Sequence, residues 1–177
     1  SDINATVRTI GDDVYVVGYR GQLTAVAAES GQALWSQDAR SYEGLAVDLE
    51  NVYVSGAGSE LTALSRVSGA EVWKNEFLKN RDISGPTAWQ NSVVVGDFEG
   101  YVHFFDAATG EPQARVRAGR DRVTSPPLAV NDMVVVGSAV ADNNRTDAAS
   151  GEVRAFDART GALRWTWDPI PQDSTDA

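Results

Sequence analysis

The 177-residue sequence predicts an all-β protein, a β-propeller segment of four four-stranded antiparallel blades. Three observations carry that prediction. A glycine-anchored phrase recurs about every 40 residues, each copy follows two short runs rich in β-branched and aromatic residues, and no stretch has helical periodicity.

The phrase reads Glu29-Ser30-Gly31-Gln32-Ala33-Leu34-Trp35, then Val67-Ser68-Gly69-Ala70-Glu71-Val72-Trp73, then Arg159-Thr160-Gly161-Ala162-Leu163-Arg164-Trp165. A weaker copy, Ala108-Thr109-Gly110-Glu111-Pro112-Gln113-Ala114, keeps the turn and loses the aromatic. The glycines are separated by 38, 41 and 51 residues, the last interval being stretched by a polar insert around Ala141 to Ser150.

The elements follow in chain order. Blade 1, residues 1–41, takes its strands from Ala5 to Ile10, Val14 to Gly18, Leu23 to Val26 and the segment bearing Trp35. Blade 2, residues 42–82, repeats them as Gly44 to Asp48, Val52 to Gly56, Leu61 to Leu64 and the Trp73 segment. Blade 3, residues 83–122, uses Gly85 to Gln90, Val93 to Gly96, Tyr101 to Phe105 and the segment after Gly110. Blade 4, residues 123–177, uses Thr124 to Val130, Val134 to Gly137, Val153 to Phe156 and the Trp165 segment. A continuous apolar run such as Val14 to Val17 implies a strand covered on both faces, which stacked blades provide. Each repeating Trp fills the gap between neighbouring blades and finds a backbone acceptor for its N–H, which makes Gly31, Trp35, Gly69, Trp73, Gly161 and Trp165 the structural docking residues.

Composition narrows the function classes. Lys+Arg 15 against Asp+Glu 25 gives a net charge of −10, which argues against a nucleic-acid partner. The absence of Cys removes disulfides, Cys-ligated zinc, thiol catalysis and a lipid anchor through an N-terminal Cys. No apolar run reaches membrane length, and Ser1-Asp2-Ile3-Asn4 carries no leader signature, so no membrane insertion is expected. His103 is the only histidine, which leaves no multi-His metal site and assigns it a structural role. The insert Asp142-Asn143-Asn144-Arg145-Thr146-Asp147 clusters oxygen ligands suited to Ca²⁺, with Asp142, Asn144 and Asp147 as the metal candidates, but it lacks the glycine and bidentate Glu of the helix-loop-helix calcium pattern. A solvated loop is the plainer reading.

The pattern Ser/Thr-Gly-x-x-x-Trp after a Leu-x-Ala strand resembles the tryptophan-docking repeat of eight-bladed quinoprotein-type propellers. More narrowly, Val16-Val17-Gly18-Tyr19-Arg20-Gly21-Gln22-Leu23-Thr24-Ala25, Leu78-Lys79-Asn80-Arg81 and Val95-Gly96-Asp97-Phe98-Glu99-Gly100-Tyr101-Val102-His103 resemble the periplasmic lipoprotein B family of the bacterial outer-membrane β-barrel assembly machinery. That resemblance covers residues 1–130. The tail from Val136 through Asp142-Asn143-Asn144 to Trp165-Thr166-Trp167-Asp168-Pro169 is similar to membrane-type PQQ-dependent sugar or alcohol dehydrogenases. Two parents joined near Asn131 are what a recombined or designed chain looks like.

The first resemblance implies a periplasmic, non-enzymatic scaffold that contacts a protein partner of the assembly machinery through Leu78, Arg81, Asp97 and Glu99, with Leu78 exposed beside Arg81. The departures at Lys79 and Asp82 bear on that contact. The second implies Asp142 as the catalytic carboxylate of a quinone-dependent dehydrogenase. Most blades resemble the other parent, so no cofactor is expected. An eight-bladed ring turns by about 45 degrees per blade, so four blades span half a circle and leave two apolar end faces. A head-to-tail homodimer through those faces closes the ring. The alternatives are a four-bladed ring closed within one chain and an excised fragment that aggregates.

Overall fold

In each repeat, a turn closes on a glycine in the left-handed region, where a side chain would be strained: φ is 70° at Gly31, 71° at Gly69, 73° at Gly110 and 71° at Gly161. The glycine N–H donates to the carbonyl four residues back, from Gly31 to Ala27, Gly69 to Ser65, Gly110 to Asp106 and Gly161 to Asp157. In the last two, the aspartate Oδ1 also accepts the N–H groups of the next residues, Ala108 and Thr109 or Arg159 and Thr160. This local bonding reverses the chain between the third and fourth strand of each blade.

The computed structural model describes residues 7–18, 21–39, 41, 43–119, 122–123, 125–137 and 151–169. They form four antiparallel meanders and, among the described residues, no helix. Blade 1 holds β1 (Arg8–Ile10), β2 (Asp13–Val17), β3 (Gln22–Ala27) and β4 (Ala33–Asp38). Blade 2 holds β5 (Leu45–Val47), β6 (Asn51–Ser55), β7 (Leu61–Ser65) and β8 (Glu71–Asn75). Blade 3 holds β9 (Thr87–Trp89), β10 (Ser92–Gly96), β11 (Tyr101–Asp106) and β12 (Pro112–Arg117). Blade 4 holds β13 (Leu128–Val130), β14 (Met133–Gly137), β15 (Val153–Asp157) and β16 (Leu163–Trp167). The first strands β1, β5, β9 and β13 neighbour one another in succession and form the inner side of the arc.

Register repeats as faithfully as order. Tyr15, Ala25 and Trp35 form one cross-strand row, as do Tyr53, Ala63 and Trp73, and Val135, Ala155 and Trp165. In blade 3, the row is Val94, Phe104 and Ala114. The aromatic bulk missing at 114 therefore sits one strand inward, at Phe104, where the other blades carry Ala.

Alternation along the strands sends successive side chains to opposite faces of each sheet. Tyr15, Val17, Leu23 and Ala25 meet Val52, Val54 and Leu64 between blades 1 and 2. Tyr53, Leu61, Ala63 and Trp73 meet Val93, Val95 and Phe105 between blades 2 and 3. Val94, Val102 and Phe104 meet Val134, Val136 and Phe156 between blades 3 and 4. Among the described residues these three cores join four blades and none joins blade 4 to blade 1, so the blades form an open arc.

Candidate functional site

The seams between blades place the repeated tryptophans. Trp35 lies against Gly69 of the next blade, where a Cβ would fall 2.6 Å from its ring, and its Nε1–H donates to the Arg66 carbonyl at 2.8 Å. Trp73 repeats the arrangement on Gly110, again with a would-be Cβ at 2.6 Å, and donates to the Ala107 carbonyl at 2.9 Å. In both, the acceptor lies three residues before the glycine. Tyr15 and Tyr53 back the two indoles at centroid distances of 6.1 and 5.9 Å.

The third seam is built differently. Val116, not an indole, packs on Gly161, and Trp89 from β9 donates its Nε1–H to the Asn131 carbonyl at 2.7 Å. The repeat gave no sign of Trp89, because it lies outside the recurring phrase. The legible signal was Phe104, which breaks the Leu-x-Ala pattern of the third strands.

At the arc's ends, both halves of the contact stand alone. Gly31 has nothing within 4 Å of a would-be Cβ, and Trp165 is 41% exposed with Trp167 beside it at 60%.

A second cluster sits where the blade 2 to blade 3 connection meets the β10–β11 turn. Asp97 is fully buried. Its Oδ1 accepts the N–H groups of Glu99 and Tyr101 at 3.0 and 2.9 Å, and its Oδ2 lies 2.8 Å from both Arg81 Nε and His103 Nε2. Burial pushes the Asp97 carboxyl up, but the His103 hydrogen bond, the Tyr101 N–H and the Arg81 guanidinium outweigh it and bring it down to about 2. Facing a carboxylate on that oxygen, His103 Nε2 carries its proton, which fixes the ring as a structural strut. Arg81 reaches outward from Asp97 to Glu99 at 2.6 Å, while Arg115 and Arg117 flank the Tyr101 ring at 4.9 and 4.8 Å.

The expectation of an exposed Leu78 is corrected: Leu78 is 3% exposed and packs with Ile83 and Trp73 in the core between blades 2 and 3. The turn after β8 folds its side chain under the loop. The exposed apolar groups of this region are Phe77 at 66% and Phe98 at 40%, the latter tied by its N–H to the Arg81 carbonyl. Of the four residues tied to partner contact, Arg81 and Glu99 reach the surface, whereas Asp97 lies beneath them. Asp142, Asn144 and Asp147 lie outside the described residues. Among the described residues no cluster of His, Cys, Asp and Glu is suited to a metal, and no helix is long and apolar enough to cross a membrane.

An arc of four-stranded meanders with indoles seated on left-handed glycines defines a PQQ-repeat β-propeller. The chain belongs to the family of the glucose/ethanol/alcohol dehydrogenase β-propeller domain, whose model matches residues 1–177. It is 37% identical over 135 residues to the outer membrane protein assembly factor BamB of Pseudomonas aeruginosa, a match covering 76% of this chain and 36% of that protein. The chain spans about a third of the length of the curated relatives it matches. Among solved structures it resembles the quinohemoprotein alcohol dehydrogenase of Comamonas testosteroni, with a TM-score of 0.76 and 18% identity over 97% of this chain and 36% of that one. It also resembles the computationally designed Ika4 protein, with a TM-score of 0.72 and 19% identity over 89% of this chain and 91% of that one. These two likenesses show the fold.

The family name implies pyrroloquinoline quinone, a flat tricarboxylate that needs several cationic donors. The four inner strands carry one charged side chain, Arg8, and its Nε donates to the Leu45 carbonyl at 3.3 Å. Among the described residues, the inner strands by themselves supply no set of cations that fits the quinone.

Proposed function

We propose that the chain is a non-catalytic β-propeller scaffold that binds protein in the bacterial periplasm, in outer-membrane protein assembly, and closes its ring by pairing with a second copy. The observation that carries the reading is the Arg81 cluster, a preordered polar surface to which exposed Phe98 is hydrogen-bonded, with exposed Phe77 four residues before Arg81 on the same connection, within the region that resembles the assembly factor. Arg81 is held by Asp97 and Glu99 before any partner arrives, so little side-chain freedom remains to be lost on binding. An Arg flanked by aromatics is a common composition of an interface hot spot. The unlike third seam, which coincides with the change of resemblance near Asn131, supports a chain recombined or designed from two propeller lineages.

The test is retention of the soluble periplasmic domains of a barrel-insertion protein on the immobilised 177-residue chain. Retention at micromolar protein, weakened by Arg81→Glu and by Phe77→Ala, supports the reading. No retention at that concentration overturns the assembly role. A second reading, a dehydrogenase fragment, draws on the family match. Dye reduction on adding the quinone, Ca²⁺ and an alcohol to the chain would establish it and overturn the non-catalytic assignment.

A further inference from the structure

Two of the three seams use the same contact, and the chain carries each half of that contact once more without its counterpart. Trp35 and Trp73 each lie on a left-handed glycine of the next blade and donate to the carbonyl three residues before it. Gly31 holds the same turn, φ 70° against 71° and 73°, with nothing seated on it. Ala28 is the residue three before it. Trp165 pairs with Ala155 in the register by which Trp35 pairs with Ala25, and its Nε1 has no acceptor among the described residues.

The apolar faces around these groups are equally incomplete. Val14, Val16 and Val26 are half-buried, whereas their counterparts on blade 2, Val52, Val54 and Leu64, are no more than 6% exposed beneath blade 1. At the other end, Val135 and Val153 are half-buried, where Tyr53 and Leu61 of blade 2 are at most 2% exposed under blade 3. Among the described residues, nothing packs on one end of the arc as a preceding blade would, nor on the other as a following one would.

We infer that Trp165 of one copy seats on the second copy's Gly31 and donates its indole N–H to the second copy's Ala28 carbonyl, with Val135, Val153 and Trp167 covering the second copy's Val14, Val16 and Val26. The inference rests on the proposed pairing and specifies its interface. The occupant is a second copy because this chain supplies both complementary edges, and the edges of one chain do not meet, as the exposure of Trp165 shows. With each arc spanning the half circle that the eight-bladed resemblance implies, two arcs joined this way leave no open edge and the assembly stops at two. The seam occurs twice per ring.

The experiment is light scattering coupled to size exclusion on the parent chain, Trp165→Ala, Val16→Glu and, as a control, Val67→Ala, whose side chain is 84% exposed away from both edges. Far-UV circular dichroism on each variant confirms retention of the fold. The expected result is twice the 18.9 kDa chain mass for the parent and Val67→Ala, with dissociation weakly resisted by Trp165→Ala and Val16→Glu, whose dimer constants rise by about 30-fold or more. A parent dimer unaffected by Trp165→Ala and Val16→Glu would overturn this interface and leave pairing itself standing. A monomeric parent would overturn both. Larger oligomers that Trp165→Ala dissolves would retain the seam and overturn closure at two copies.

Discussion

Gly69 and Gly110 combine a left-handed backbone with an indole pressed onto the space where a Cβ would be. Alanine at either site costs about 1–2 kcal/mol for the backbone and a further 1–3 kcal/mol for displacing the ring. Gly11 shares the positive φ but has nothing within 4 Å, so Gly11→Ala should cost only the backbone part, a contrast that urea unfolding measures directly. Asp97 makes a separate prediction in pH. Its folded value, about 2, lies below the usual unfolded value near 4, so its contribution is complete above that unfolded value and is lost as pH falls through 2. The contribution is on the order of 2 kcal/mol. Acid titration of stability in the parent should therefore be steeper between pH 4 and 2 than in Asp97→Asn; equal slopes would remove the carboxylate from that role.

At the scale of elements, the loop after β8 sorts its apolar residues by where the turn directs them. Leu78→Ala empties part of the core between blades 2 and 3 and should cost about 2–5 kcal/mol. Phe77→Ala changes an exposed side chain and should leave stability within about 0.5 kcal/mol. Their order in chemical denaturation is the check. The third seam shows how a blade tolerates the loss of its signature residue. Phe104 refills the row that Ala114 leaves thin, Val116 covers Gly161, and Trp89 supplies the indole hydrogen bond from the inner strand instead of the outer one. Trp89→Phe keeps most of the apolar surface and removes that bond, for an expected loss of about 0.5–1.5 kcal/mol in the unfolding free energy.

For the whole molecule, stability resides in the seams, because each sheet buries its faces only against a neighbour. Blades 2 and 3 are covered on both faces, whereas among the described residues no core covers the outer face of blade 1 or of blade 4. The proposed pairing of two arcs would cover those faces in the folded state and not in the unfolded one. On that pairing the thermal midpoint should rise with protein concentration in the parent, and Trp165→Ala should need about 30-fold more protein for the same rise, as differential scanning calorimetry would record.

The sequence by itself determined the all-β class, the four repeats and the strands of each blade, because period-40 spacing, β-branched runs and turn glycines are local properties that need no knowledge of what packs on them. It also marked Trp35 and Trp73, whose environment recurs with their spacing. Tertiary structure alone decided which exposed-looking residues are core and which repeats are complete. Leu78 reads as a surface leucine in a polar loop until the loop folds it beneath blade 3, and Trp89 becomes an inter-blade donor only once Asn131 is brought across the seam. Gly31 and Trp165 read like their internal counterparts, yet one is bare and the other exposed, because burial in a propeller belongs to the pair of neighbouring blades and not to the repeat that encodes either one.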